Sequence, residues 1–241
     1  MLPAGIWRQA QSLVLLEGAH LNQMQRERLS EQPFLPLYLH DDLFELVSLG
    51  PWLWHCSADN EALLMELVQE GHVVGLIDSD LPMARLQRQL ALGVRVIEPA
   101  GRFSQLLRFY TPQALPLLLA QQQAAWYGGL FGGIASWWLR ECDGSWRELA
   151  LSIPPVEPAL IQLTPELQQA LQGSPQAHRL LALWAEGAHC GHFPPCERMA
   201  MVRKALGKAE QAGASEAQLL LWALAYLEGG RPALEQQRRS A

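Results

Sequence analysis

The sequence predicts an α/β lobe, a mixed sheet with covering helices, followed by a small all-α lobe. Three observations carry this. Up to about residue 150, short apolar runs of strand length alternate with amphipathic stretches of helical period, the pattern of a sheet covered by helices. Ile153-Pro154-Pro155-Val156-Glu157-Pro158 then interrupts both patterns, because proline suits neither a helix interior nor a central strand. Beyond it only helical periodicity remains. The expected division is an α/β lobe over 1–152, a Pro-rich linker over 153–163 and a helical lobe over 164–241. That suits a chain of 241 residues at roughly 150 residues per domain.

The first lobe opens with Leu13-Val14-Leu15-Leu16, a buried strand closed by Gly18. Residues 35–39 and Trp52-Leu53-Trp54 read as further short strands. Residues 59–70 form a helix: Asp59 suits the N-cap, Leu63, Leu64, Leu67 and Val68 make one stripe, and Gly71 permits a left-handed stop. Residues 72–77 are a strand. Ser79 or Asp80 caps the next helix, with Leu86, Leu90 and Met83 inward and Gly93 at its end. Residues 94–97 and 105–110 are strands, and Pro112 opens a helix to about 123 with Pro116 disturbing its start. Residues 130–139 pair with 146–151 across an Asp143-Gly144 turn. If 137 and 138 lie on a strand, Trp137 and Trp138 face opposite sides and differ in burial.

In the second lobe Thr164 caps a helix with Pro165 at its first position, a favoured place for proline. Helices follow over 175–186, 197–211 (Met199, Val202, Leu206 and Ala209 on one face) and from Ser215 to 227. The run Leu219-Leu220-Leu221-Trp222-Ala223-Leu224 is apolar nearly all round, which places that helix centrally. The tail from Gly229, with Arg238 and Arg239, frays.

A net charge of −6 argues against nucleic acid, which is met by strongly basic domains. No apolar stretch approaches the length of a membrane span, and no secretory leader is read at the start, so a cytoplasmic location is expected. Cys56, Cys142, Cys190 and Cys196 are too few for a disulfide scaffold, and reduced thiols are the simpler expectation. Only Lys204 and Lys208 are lysines; the remaining basic residues are arginines, whose planar fork suits interfaces. Arg85, Arg88, Arg95, Arg102 and Arg108 share a stretch whose only acid is Glu98. That stretch is either a surface for an acidic partner or a set of scattered solvated charges.

Catalytic motifs are missing. No G-x-S-x-G, H-E-x-x-H or G-x-x-x-x-G-K-[ST] pattern occurs. Gly128-Gly129-Leu130-Phe131-Gly132-Gly133 lacks phosphate-loop spacing and reads as a tight turn before a strand. Asp78-Ser79-Asp80 carries two carboxylates that either bind a metal or cap a helix. His189-Cys190-Gly191-His192 with Cys196 crowds four candidate zinc ligands into one loop, whereas structural zinc sites join separated pairs. Its other reading is a polar inter-helix loop. No catalytic, cofactor-binding or metal-binding residue is assigned, and no cofactor is expected. Among nine tryptophans, core packing is the default role, but Trp52 and Trp54 share one strand face and are candidate partner-binding residues.

Several blocks occur in an order that resembles a known family. They are Leu13 through Gly18-Ala19 with its acidic-Gly-Ala end, Leu37-Tyr38, Gly50-Pro51-Trp52-Leu53 and the apolar-strand, Ser, helix stretch of 76–92. Leu107-Arg108-Phe109-Tyr110-Thr111-Pro112 with Leu115 follows, then Phe131-Gly132-Gly133-Ile134 with Trp137 or Trp138. The set resembles the type VI secretion effector chaperones, or adaptors, first described as a domain of unknown function, over residues 10 to 150. Glu17 and Thr111 stand where the family usually has Asp. The resemblance implies a cytoplasmic, non-catalytic protein without cofactor. Its partners would be a cognate effector, through the effector's N-terminal region, and the valine–glycine repeat spike, with neither nucleic acid nor membrane insertion involved. Arg108 and Tyr110 then join the candidate partner-binding residues, with a structural role at the strand–helix junction as their other reading. A rival function is a divergent metal-dependent hydrolase using Asp78 and Asp80 or the 189–196 region.

Overall fold

A computed structural model of the chain describes residues 12–229 apart from 56, 100 and 102. The expected frayed tail, with Arg238 and Arg239, and also Cys56 and Arg102, lie outside the described residues. Two compact units result, divided between Leu171 and Gln172. Among the described residues no helix is long and apolar enough to cross a membrane.

The first unit is built on a six-stranded sheet in the order β2-β3-β1-β4-β7-β8. Its strands are β1 (Ser12–Glu17), β2 (Phe34–Pro36), β3 (Pro51–Trp54), β4 (Val73–Ser79), β7 (Ile134–Arg140) and β8 (Trp146–Ala150). All five pairings are antiparallel. β1 is buried at every position because both faces of the sheet are covered. Leu13 and Leu15 enter the larger core, while Val14 and Leu16 enter a second core on the opposite face, the two-residue period of a strand. The second core is closed by α1 (Gln23–Ser30) through Leu29 and by α2 (Glu61–Gln69) through Leu63, Leu64, Leu67 and Val68. The larger core is closed by α3 (Met83–Gly93), α4 (Leu115–Leu119) and α5 (Tyr127–Phe131). A fully buried Leu contributes about 1.5–3 kcal/mol, so burial on both faces explains why an apolar β1 sits at the centre.

A small sheet, β6-β5-β9, lies beside this one. β5 (Arg95–Ile97) pairs antiparallel with β6 (Phe103–Leu106) and parallel with β9 (Ile161–Gln162). This pairing corrects the expected linker: residues 153–163 are part of the first unit. Ile161 and Leu163 are in the larger core, Trp126 Nε1 donates to the Gln162 carbonyl at 3.0 Å, and Gly133 N donates to the Ile153 carbonyl at 2.8 Å. The glycine run is the other side of that contact. A Cβ on Gly129 would come within 2.6 Å of Ala159 N, and one on Gly132 within 2.7 Å of the Pro154 carbonyl. The run is therefore a short helix, α5, and a turn that admit a proline-rich strap, rather than a turn alone.

Most expected elements recur with shifted ends. α2 is preceded by a 3-10 turn over Ala58–Asn60, so Asn60 rather than Asp59 takes the cap position, and Gly71 is left-handed at φ 85°. α3 starts after Pro82, because the Ser79 hydroxyl is engaged instead with the Gly133 carbonyl at 2.7 Å. Three differences are larger. Leu37 to Leu39 leave the sheet after Pro36. Residues 105–110 are not one strand: β6 ends at Leu106 and a turn carries Phe109 and Tyr110 into the core. The helix expected after Pro112 shrinks to α4. As expected, Trp137 is fully buried while Trp138 is half-buried, on a hairpin turned at Gly144.

α6 (Pro165–Gln172) is capped by Thr164 Oγ1, which accepts from Leu167 N at 3.2 Å; its Leu167 belongs to the first unit's core. The second unit packs α7 (Pro175–Ala185), α8 (Pro195–Gln211) and α9 (Glu216–Gly229) around Leu180, Trp184, Val202, Ala209 and Ala223. Met199 is only partly buried at the margin of that core. α9 is less central than its composition suggested. Leu219, Ala223 and Leu227 point inward at four-residue spacing, while Leu221 is 65% exposed.

Replacing Ile161 with Asp is expected to destabilise the first unit by about 3 kcal/mol in denaturant melting, because a carboxylate would be buried without a partner. A free linker would tolerate that change silently.

A candidate partner-binding site at the end of the central strand

β1 ends in Glu17, and Gly18 follows in a place that no other residue fits. A Cβ there would lie 2.6 Å from the carbonyl oxygens of both Ser48 and Gly50. Gly18 N donates to the Gly50 carbonyl at 2.9 Å and Ala19 N to the Leu49 carbonyl at 3.0 Å. Gly50 is constrained in turn, since a Cβ would stand 2.5 Å from the Tyr38 ring. The two glycines let Tyr38 and the 48–50 backbone close over the end of the strand. The turn after β6 arrives beside them, with Thr111 N donating to the Arg108 carbonyl at 3.2 Å.

That turn delivers a counter-charge. Glu17 Oε2 accepts one hydrogen bond from Arg108 Nη2 and another from the Tyr110 hydroxyl at 3.0 Å. Arg108 Nε also donates to the Tyr110 oxygen at 3.3 Å, and its guanidinium lies 5.8 Å from that ring's centre. Glu17, Tyr110 and Tyr38 are buried, whereas half of the Arg108 side chain remains exposed. A buried carboxylate is tolerated only when paired and hydrogen-bonded, and here both conditions are met by one short segment.

Burial first, then the nearby Glu17 charge, push the Tyr110 phenol far above its ordinary value, against the opposing pull of Arg108. Tyr38 is raised for the same two reasons in the same order. Burial alone would lower the Arg108 guanidinium, but Tyr110 and Glu17 together outweigh it and hold it above its usual range. The phenol therefore remains a proton donor and the guanidinium a cation throughout the ordinary pH range. The arrangement is a lock with one outward face, the exposed part of Arg108, which can meet a partner's carboxylate or carbonyl oxygens. Thr111 Oγ1 accepts from Ala114 N at 3.3 Å at the start of the following segment.

The other candidates lie elsewhere. Trp52 and Trp54 do share a face, but it is the buried face of the second core; Trp52 stacks on Phe34 with ring centres 4.7 Å apart. Neither has surface to offer a partner in this conformation. Asp78 sits on β4 opposite Ser136, and Asp80 is exposed with its N–H on the Gly133 carbonyl at 3.2 Å. His189 Nδ1 meets Glu228 Oε2 at 2.8 Å, and Cys190 is a buried free thiol. Among the described residues no group of three His, Cys, Asp or Glu side chains is placed to hold a metal. The arginine-rich stretch is partly spent inside the protein, since Arg95 pairs with Asp42 and Arg108 with Glu17. Sequence reading missed Glu17 and Tyr38 as members of the site. The one local signal was the glycine after an acid at a strand end.

Arg108→Ala should cost about 2 kcal/mol of stability in denaturant unfolding, since it strands a buried carboxylate with one donor. Glu17→Gln in that background should recover part of the loss. The phenols set an alkaline limit. An unfolded tyrosine loses its proton near pH 10, while folded Tyr110 keeps its own to higher pH. Stability is then fully present below about pH 10 and falls as pH rises beyond it. Tyr110→Phe should flatten that fall in unfolding curves measured between neutral and alkaline pH.

Residues 13–125 match a family described as Domain of unknown function (DUF4123). The matched span contains Glu17, Tyr38, Arg108 and Tyr110. No curated protein and no solved structure matches the chain.

Proposed function

We propose that this chain is a non-catalytic cytoplasmic adaptor that binds one type VI secretion effector and promotes its loading onto the valine–glycine repeat spike. The observation that carries the reading is the convergence at Glu17. The blocks Glu17-Gly18, Leu37-Tyr38, Gly50-Pro51 and Arg108-Phe109-Tyr110 come from separate segments, and side-chain and backbone contacts bring them together. The matched domain family is associated with type VI secretion effector adaptors, and the same blocks carry the sequence resemblance. The site itself supports binding over turnover. Its carboxylate is already doubly engaged and its phenol is held protonated, which leaves neither a free base nor an activated nucleophile.

The test is affinity capture of the tagged chain from cells with active type VI secretion, read by mass spectrometry. A single toxin-like protein together with the spike is expected. Capture of neither would overturn the adaptor reading. Arg108→Ala should weaken capture and lower the melting temperature together. Weakened capture at an unchanged melting temperature would show direct contact by Arg108 in place of a structural role.

A further inference from the structure

The residues between Tyr38 and Gly50, which close over Glu17, also carry four of the exposed large apolar side chains among the described residues of the first unit. Leu39, Phe44, Leu46 and Leu49 are all exposed, Phe44 by 79%. Single exposed apolar residues are ordinary, but four within one short segment is a density of the kind that marks an interaction site. The segment is firmly seated. It contains a 3-10 helix over Asp41–Leu46 whose Leu43 is buried in the larger core. Trp52 Nε1 donates to the Val47 carbonyl at 2.9 Å, and Gly50 N donates to the Leu46 carbonyl at 3.0 Å. A surface held this way loses little conformational freedom on binding.

Charge says what fits it. Asp41 and Glu45 are exposed on the same segment and form no ion pair among the described residues. Arg95 pairs with Asp42 on this same segment, which leaves the carboxylates of Asp41 and Glu45 in excess there. We infer that the exposed face of residues 39–49 docks an amphipathic helix of the partner whose apolar stripe is flanked by lysine or arginine. A 3-10 turn presents no strand edge for backbone pairing, so recognition falls to side-chain anchors, as when a helix lies on an apolar surface. A second copy of this chain fits less well, because a two-fold contact would set Asp41 and Glu45 against themselves. The inference rests on the adaptor reading for the identity of the partner, but the surface chemistry can be tested without it.

The probes are two labelled, alanine-rich peptides of about 18 residues, long enough to be helical in water. Both carry one leucine stripe, flanked by lysine in one and by glutamate in the other, and both are titrated into the whole chain at low salt. The lysine peptide is expected to bind at least about tenfold more tightly. Its affinity should fall as salt rises and drop about tenfold in a Phe44→Ser, Leu49→Ser variant whose melting temperature is unchanged. Asp41→Asn with Glu45→Gln should erase the preference between the peptides while keeping the apolar contribution. Equal binding of the two peptides, or binding indifferent to Phe44 and Leu49, overturns the inference. So does a dimer in sedimentation that the Phe44→Ser, Leu49→Ser variant abolishes, since a second copy would then be the occupant. The two readings fail separately. If the lysine peptide binds through Phe44 but no effector is captured from cells, the adaptor reading falls and the surface stands. If an effector is captured equally well by the variant, the surface falls and the adaptor reading stands.

Discussion

A carboxylate buried at the end of the central strand must find a counter-charge, and the chain supplies it from Arg108, 91 positions away. That requirement organises much of the first unit. The strand can be apolar on both faces because its one ionised group is answered by Arg108 and Tyr110. The turn after β6 can carry two aromatic residues into the larger core because its arginine is anchored at Glu17. Gly18 and Gly50 are small for the same reason: side chains there would hold Tyr38 and the 48–50 backbone away from the carboxylate.

The second constraint is the closeness of α5 to the proline-rich strap. Prolines at 154, 155 and 158 cannot join a central ladder, so the strap runs over a helix instead, where Gly129 and Gly132 leave room for its backbone. It then adds β9 to the small sheet in parallel with β5. A segment with the composition of a linker thus becomes structural, and the boundary between the compact units falls after α6 has begun.

The features that resemble a family are mostly internal, and they shape a rigid end of the sheet. The exposed features beside them are half of Arg108 and the apolar segment over 39–49.

What the sequence alone determined were the local elements. β1, β3, α2 and the β7–β8 hairpin follow from apolar periodicity, cap residues and turn glycines, all of which act within a few positions. The lobes' classes follow from the same signals, and so does the difference between Trp137 and Trp138. Arg108 and Tyr110 were legible as candidates. Their partner Glu17 was not, because a contact across the sheet leaves no periodic trace in the chain. Trp52 and Trp54 show the converse: composition and spacing place them on one face, and only the packing of α1 and α2 decides that this face is interior. The strap at 153–163 was misjudged because proline content reports what a segment cannot be locally, while its position depends on two glycines more than twenty residues earlier. Tertiary structure alone decided these things, because each is a meeting of groups far apart in the chain whose local preferences are satisfied equally well when they are separate.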